Sequence, residues 1–214
     1  MRYTPRPDCQ IPTLAEIYEK YLPEGSRRFV EVGAHDGVRV SNTVFLAEAG
    51  WHGVYIEPLP EAAVLCRVNH AKNNVVVVNE GVSDHAGTAD FYIIGDCSTL
   101  IWDKSAMDWG GSLDRKVSVQ LDTLDHILDG LGWQPGFELL VIDVEQAEMQ
   151  VLGGFTIGRW QPYMVIVETH ELDTAPERNW KGPVISAWFA ERGYAKIYTD
   201  HINSIFLRAS IVGT

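Results

Sequence analysis

Positive charge is scarce in this chain. Lys and Arg number 17 against 29 Asp and Glu, a formal net charge of −12. A protein that tracks a phosphate backbone leads with a basic patch, so this balance speaks against a nucleic-acid partner. It speaks equally against adhesion to an anionic membrane. Cysteine is nearly missing. Cys9, Cys66 and Cys97 are odd in number and widely spaced, and no CxxC pair occurs. A disulfide framework or zinc site is therefore not expected, and a reducing, cytoplasmic compartment is the simpler reading. No apolar run approaches the roughly 18 residues of a membrane span. Residues 1–10 carry Arg2, Pro5, Arg6 and Pro7 but no apolar stretch, unlike a secretory leader.

What is present reads as one folded domain. Hydrophobic residues make up 46% and charged ones 21% of 214 residues, a globular balance over a length that suits a single core. Short apolar runs alternate with helix-period segments. Strands are expected at 28–32, 53–57, 75–78 (four consecutive valines, hence buried), 88–94, 117–121, 137–144 and 163–167. Helices are expected at 41–49, with Ser41 as N-cap, and from Pro60, with Ala62, Leu65 and Val68 at helical spacing. Further helices fall at 124–131, around Ala147, Val151 and Phe155, and from Pro183 with Val184, Ala187 and Trp188 as its apolar face. The runs 194–199 and 204–207 flank a turn and form a terminal hairpin. Such alternation implies an α/β fold, a mostly parallel sheet with helices on both faces and ligands at the carboxyl ends of the strands. Residues 1–27 form a helical extension. The irregular stretches 98–116 and 171–182 read as acceptor or lid loops, with Trp102, Met107, Trp109 and Trp180 as candidate stacking surfaces or loop packing.

The first strand runs into FVEVGAHDG, residues 29–37. Gly33 and Gly37 bracket a tight turn, and glycine allows a ligand to approach the backbone. The dinucleotide fingerprint GxGxxG is missing, with His35 where its middle glycine would stand. Glu31 would repel a pyrophosphate but suits a cationic group. A plain strand-to-helix turn with a capping acid would read the same way. Glu57 ends the second strand at an offset suited to a ribose-binding acid. Asp84 follows the third strand, where it could accept from an adenine amine, or stand as a solvated loop carboxylate or helix N-cap. Asp143 ends the strand VIDV. Carboxylates around a glycine loop fit a cationic nucleoside, and S-adenosylmethionine has a ribose, an adenine, a sulfonium and an ammonium that all seek acceptors.

These segments resemble the FkbM-type S-adenosylmethionine-dependent methyltransferases. The likeness is carried by FVEVGAHDG, SNTVFLAEAGWHGVYIEPLPE, NEGVSD and LLVIDVEQAEMQVLGGF, from about residue 29 to 171. It implies a class I methyltransferase, Rossmann-like, with a seven-stranded sheet and a C-terminal antiparallel hairpin. It also implies O-methylation of a hydroxyl on a sugar, glycan or natural product. Carried over, Gly33, His35, Asp36 and Gly37 form the cofactor loop beside Glu31 and Asn42. Glu57 holds the ribose, Ser83 and Asp84 lie by the adenine, and Asp143 sits beside the methionine moiety or the transferring methyl. Where the family has Gly in DVEGAE this chain has Gln146, which a helix would tolerate.

A hydroxyl nucleophile needs a base or a cation. Asp143, Glu168 and His170 are the catalytic candidates, with Glu145 as either a partner or a first-turn acid favoured by the helix dipole. His170 suits a base near neutral pH, or a loop position bonded to backbone. Asp143 and Glu168 at neighbouring strand ends could instead share a divalent cation. Two other readings of the same fold are a nicotinamide-dependent oxidoreductase, which the missing GxGxxG and Glu31 disfavour, and a non-catalytic cofactor-binding module. A single domain of this size leaves room for a homo-oligomer that borrows a neighbour's surface.

Overall fold

The computed structural model describes residues 9–23, 25–93, 98–100, 115–169 and 181–212. His170, Cys97, Trp102, Met107, Trp109, Trp180 and most of both irregular stretches lie outside them. The chain runs through α1 (Leu14–Tyr21), β1 (Arg28–Val32), α2 (Val44–Glu48), β2 (His52–Ile56), α3 (Pro60–Asn69), β3 (Val75–Val78), β4 (Gly81–Val82) and β5 (Gly87–Ile93). It continues through β6 (Arg115–Asp122), α4 (Leu124–Gly130), β7 (Leu139–Ile142), α5 (Glu148–Gly153), α6 (Ile157–Trp160) and β8 (Met164–Glu168). It ends with α7 (Lys181–Glu191), β9 (Tyr194–Thr199), β10 (Asn203–Arg208) and α8 (Ala209–Val212). Seven strands form one sheet in the order β3-β2-β1-β7-β8-β10-β9, in which β10 alone runs antiparallel to its neighbours.

Side chains alternate across this sheet with period two, and both faces are covered. Val30, Val32, Val54, Ile56, Leu140, Ile142, Val165, Val167 and Phe206 point to one side, where α4, α5, α6 and α7 pack. Phe29, Tyr55, Leu139, Val141, Met164, Ile166, Ile205 and Leu207 point to the other, against α1, α2 and Cys66 of α3. Every residue of β7 and β8 is buried, which is why these strands read as continuous apolar runs. The terminal hairpin follows the sequence expectation, with Asp200 Oδ1 accepting the Ile202 and Asn203 N–H groups in its turn.

Other expectations are corrected. The valines of β3 are not a buried strand: β3 is a sheet edge, and its residues are partly exposed. The strands expected at 88–94 and 117–121 belong to a separate three-stranded sheet, β4-β6-β5. Helix α2 begins at Val44 rather than Ser41, because the Ser41 and Thr43 hydroxyls are drawn inward to Glu31. Helix α3 buries Ala62, Ala63 and Cys66 and leaves Leu65 and Val68 exposed; its small residues allow close approach to the sheet. Helix α7 begins at Lys181 and buries Ile185 and Phe189, while Val184 and Ala187 face outward.

The turn between β7 and α5 holds the largest departure. Glu145 and Gln146 both have positive φ, 50° and 83°, and α5 starts only at Glu148. Gln146 is therefore not a helical residue, and the family's glycine at this position has a conformational reason. A left-handed residue bearing a Cβ costs about 1–2 kcal/mol. Thr99 holds the turn by donating to the Glu145 carbonyl. Gln146→Gly is expected to stabilise the chain by about 1 kcal/mol after the added chain entropy of glycine is subtracted. Thermal unfolding should show a rise of roughly 2–4 °C.

Candidate active site

Strand register brings the chemistry together. Val32 pairs with Ile56 and with Ile142, and Ile142 pairs with Val167. The next residue of each strand or its exit is Gly33, Glu57, Asp143 and Glu168, so these four stand level along one sheet edge. The ladder continues past the strands: Gly33 N–H donates to Ile56 O and Asp143 N–H to Val32 O, both at 3.0 Å.

Gly33 has φ +84°, and a Cβ there would fall inside the Asp143 carbonyl. Gly37 has φ +71°, and a Cβ there would lie 2.7 Å from Cys66 Sγ and His70 Nε2. The close approach that both glycines permit is thus to the protein's own backbone and to α3. Asp36 also shapes the loop: its Oδ1 accepts the Val38 and Arg39 N–H groups at 2.9 and 2.8 Å. Burial acts to raise its pKa, but those two donors outweigh it and hold the carboxyl below its usual value.

A cavity of about 270 Å³ opens at this edge. Glu31, Gly33, His35, Glu57 and Asp143 line it. Asp36, Gly37, Asn42, Ser83 and Asp84 are not among its lining residues. Asn42 is buried and takes the Tyr18 hydroxyl on its carbonyl at 3.0 Å, anchoring α1. Ser83 is buried beside Gly154. Asp84 faces solvent and bonds its neighbour His85 at 2.6 Å. In their place the cavity takes Glu80, Gly81 and Val82, with apolar walls from Leu59, Phe91 and Leu100. Gln10 also lines it, from a segment in which no motif stood out. The signal for Phe91 lay in the alternation of β5, which showed a strand but not its neighbour.

Glu57 is nearly fully buried, and each of its oxygens accepts one backbone N–H at 2.8 Å, from His35 and from Leu59. Burial raises its pKa despite these donors. A second lone pair on each oxygen is left for a ligand. Glu31 accepts from the Ser41 and Thr43 hydroxyls, yet burial pushes its carboxyl up to about 7.

The second acid cluster adjoins the cavity. Oxygens of Asp143, Glu145 and Glu168 lie within 4.8 Å of one another. Asp143 is pushed well above the usual carboxylate range by burial, then by Glu168, Glu145 and Glu148. Its Oδ2 accepts the Gln10 amide at 3.2 Å. Three carboxylates this close can share a proton or hold a divalent cation, the two uses these strand-end acids offered. Lys181 and Glu148, both almost wholly buried, form an ion pair at 2.9 Å that ties the start of α7 to α5. Burial acts to lower the Lys181 pKa, but Glu148 and Glu168 hold it above its ordinary value.

Comparison with known proteins follows this geometry. The O-methyltransferase TomG from Streptomyces achromogenes, solved with S-adenosylmethionine and involved in tomaymycin synthesis, is 14% identical. The match covers 94% of this chain and 82% of that one, at a TM-score of 0.54. Cofactor-bound Rv0187 from MTB is 16% identical over 97% of this chain and 84% of its own, at 0.52. Identities this low concern the fold, which is that of class I methyltransferases. No curated protein matches the chain. The methyltransferase FkbM domain matches residues 31–196, which runs from within β1 into β9 and includes every acid of the site. The chain belongs to the FkbM methyltransferase family.

Proposed function

We propose that this chain transfers a methyl group from S-adenosylmethionine to a hydroxyl of a sugar, glycan or natural product. The observation that carries the reading is the close Asp143–Glu168 pair at the rim of a cavity that also holds Glu57 and Glu31. When bound, the cofactor supplies an electrophilic methyl on a sulfonium. The residues present fit its parts. Glu57, oriented by two backbone donors, offers both oxygens to the ribose hydroxyls. Glu31 offers a carboxylate to the ammonium. Leu59, Phe91 and Leu100 form an apolar wall suited to a flat base.

The Asp143–Glu168 pair is the candidate general base. An ionised carboxylate of the pair can accept the proton of an acceptor hydroxyl as the C–O bond forms and the C–S bond to the sulfonium breaks, leaving a neutral thioether. A carboxyl raised toward neutral pH is a stronger base than an ordinary one. His170 remains a sequence-based candidate outside the described residues. Transfer of labelled methyl to a panel of hydroxylated acceptors tests this reading. Asp143→Asn and Glu168→Gln are each expected to lower the rate by about 10²–10⁴-fold, with cofactor binding retained in the Glu168 variant. Activity that survives exhaustive chelation is expected; its loss would move these acids to a metal role.

Glu31 adds a pH dependence. With a pKa of about 7 it is mostly neutral at pH 6 and mostly charged at pH 8. Only the charged form attracts an ammonium, so affinity for S-adenosylmethionine is expected to rise about tenfold between those pH values, the ratio of the ionised fractions. Glu31→Gln should flatten the rise in calorimetric titrations. Stability runs the other way. Between the ordinary value of 4.5 and about 7 the folded chain keeps a proton that the unfolded chain has released, so stability falls as pH rises through that window. Urea unfolding of the unliganded chain should find Glu31→Gln more stable than the parent at pH 8, with little difference at pH 5.

A further inference from the structure

Gln10 and Asn203 lie on either side of the family-matched segment 31–196, yet they meet at its central acid. Asn203 Nδ2 donates to Gln10 Oε1 at 3.3 Å, and Gln10 Nε2 donates to Asp143 Oδ2 at 3.2 Å. The polarity of this relay is set by chemistry. The lone pairs of a carboxylate oxygen take a donor, so the Gln10 NH₂ must face Asp143 and its carbonyl must face the Asn203 NH₂.

Both ends are held in place by residues with other partners. Ile11 and Leu14, fully buried against the sheet, fix the backbone that follows Gln10. Asn203 is buried and opens β10 opposite Glu168 in the β8 register. Its own N–H goes to Asp200 Oδ1 at 2.7 Å, which leaves its side chain to reach across to residue 10. Gln10 and Asp143 both line the cavity, so the amide and the acid it holds face the same ligand space. The cation of the cluster, Lys181, is committed to Glu148.

We infer that Gln10 is a positioning residue: through the relay from Asn203 it orients the Asp143 carboxylate toward the sulfonium end of the cofactor cavity. The inference rests on the cofactor reading given above. It assigns the N-terminal segment a part in the site. The Gln10 side chain is thereby pinned by partners 133 and 193 residues away in sequence.

The two sulfur nucleosides separate orientation from packing. S-adenosylmethionine carries a positive sulfur and S-adenosylhomocysteine a neutral one. A carboxylate held toward that atom favours the first, whereas a purely structural role affects both alike. Binding of each to the full chain would be measured by calorimetry at one pH for the parent, Gln10→Leu and Asn203→Leu, with thermal unfolding as a check on folding. Gln10→Leu is expected to weaken S-adenosylmethionine about tenfold, the scale of a lost charge-assisted hydrogen bond. S-adenosylhomocysteine should change less than about twofold. Asn203→Leu, which does not line the cavity, should show the same selective loss at smaller size. Equal weakening of both nucleosides, or an unchanged ratio in Gln10→Leu, overturns the inference while leaving the cofactor reading intact. A parent chain that binds neither nucleoside overturns that reading, and this inference with it.

Discussion

The parallel register of β1, β2, β7 and β8 is the constraint on which the site depends. It sets Gly33, Glu57, Asp143 and Glu168 level at one edge of the sheet. The contact of Gly33 with the Asp143 carbonyl then closes the gap between the first loop and the acid turn. A side chain at residue 33 would force those two backbones apart, and the cavity between them and Glu57 would lose its floor. The same register leaves Glu57 within reach of the His35 N–H. Cofactor loop, ribose acid and candidate base are thus consequences of one alignment, which is held by apolar packing on both faces of the sheet.

That alignment has an electrostatic cost. Glu31, Glu57, Glu148 and Glu168 are all nearly or wholly buried, and Asp143 is half-buried beside them. Burying a carboxylate is unfavourable unless donors or cations compensate. The chain compensates unevenly. Glu148 has the full charge of Lys181, Glu57 has two backbone donors, and Glu31 has two hydroxyls that do not offset its burial. Burial and the neighbouring acids Glu168, Glu145 and Glu148 push the Asp143 carboxyl well above its ordinary range. The acids left under-compensated are the ones that a cationic ligand and a proton-donating acceptor would relieve. A bound ligand would therefore return part of the stability that the unliganded fold gives up here, a familiar trade at functional sites.

Much of this was legible in local patterns. Strands β1, β2, β7 and β8 stood out as apolar runs, and their exit residues named Glu57, Asp143 and Glu168 directly. Patterns misled where side-chain type and burial part company. Four valines suggested a buried strand in β3, but a strand at the end of the sheet has a partner on one side only. Leu65 and Val68 looked like the inner face of α3, but the approach to Gly37 needed the small Cys66 there instead. Gln146 looked helical because residue type reports propensity, whereas its φ is set by the turn that must lead from β7 into α5.

Determined by the sequence alone were the alternation of elements, the acids at strand ends, the glycine loop and the scarcity of positive charge. Each is local: periodicity, spacing and composition act over a few residues and survive without knowledge of neighbours. Only the tertiary structure decided which acids meet. It sent Asp84 to solvent, buried Ser83 away from the cavity, paired Lys181 with Glu148, and brought Gln10 and Asn203 to Asp143. Those outcomes depend on contacts between residues far apart in the chain. Such contacts form only once the packed sheet has closed the distance, and no local signal encodes them.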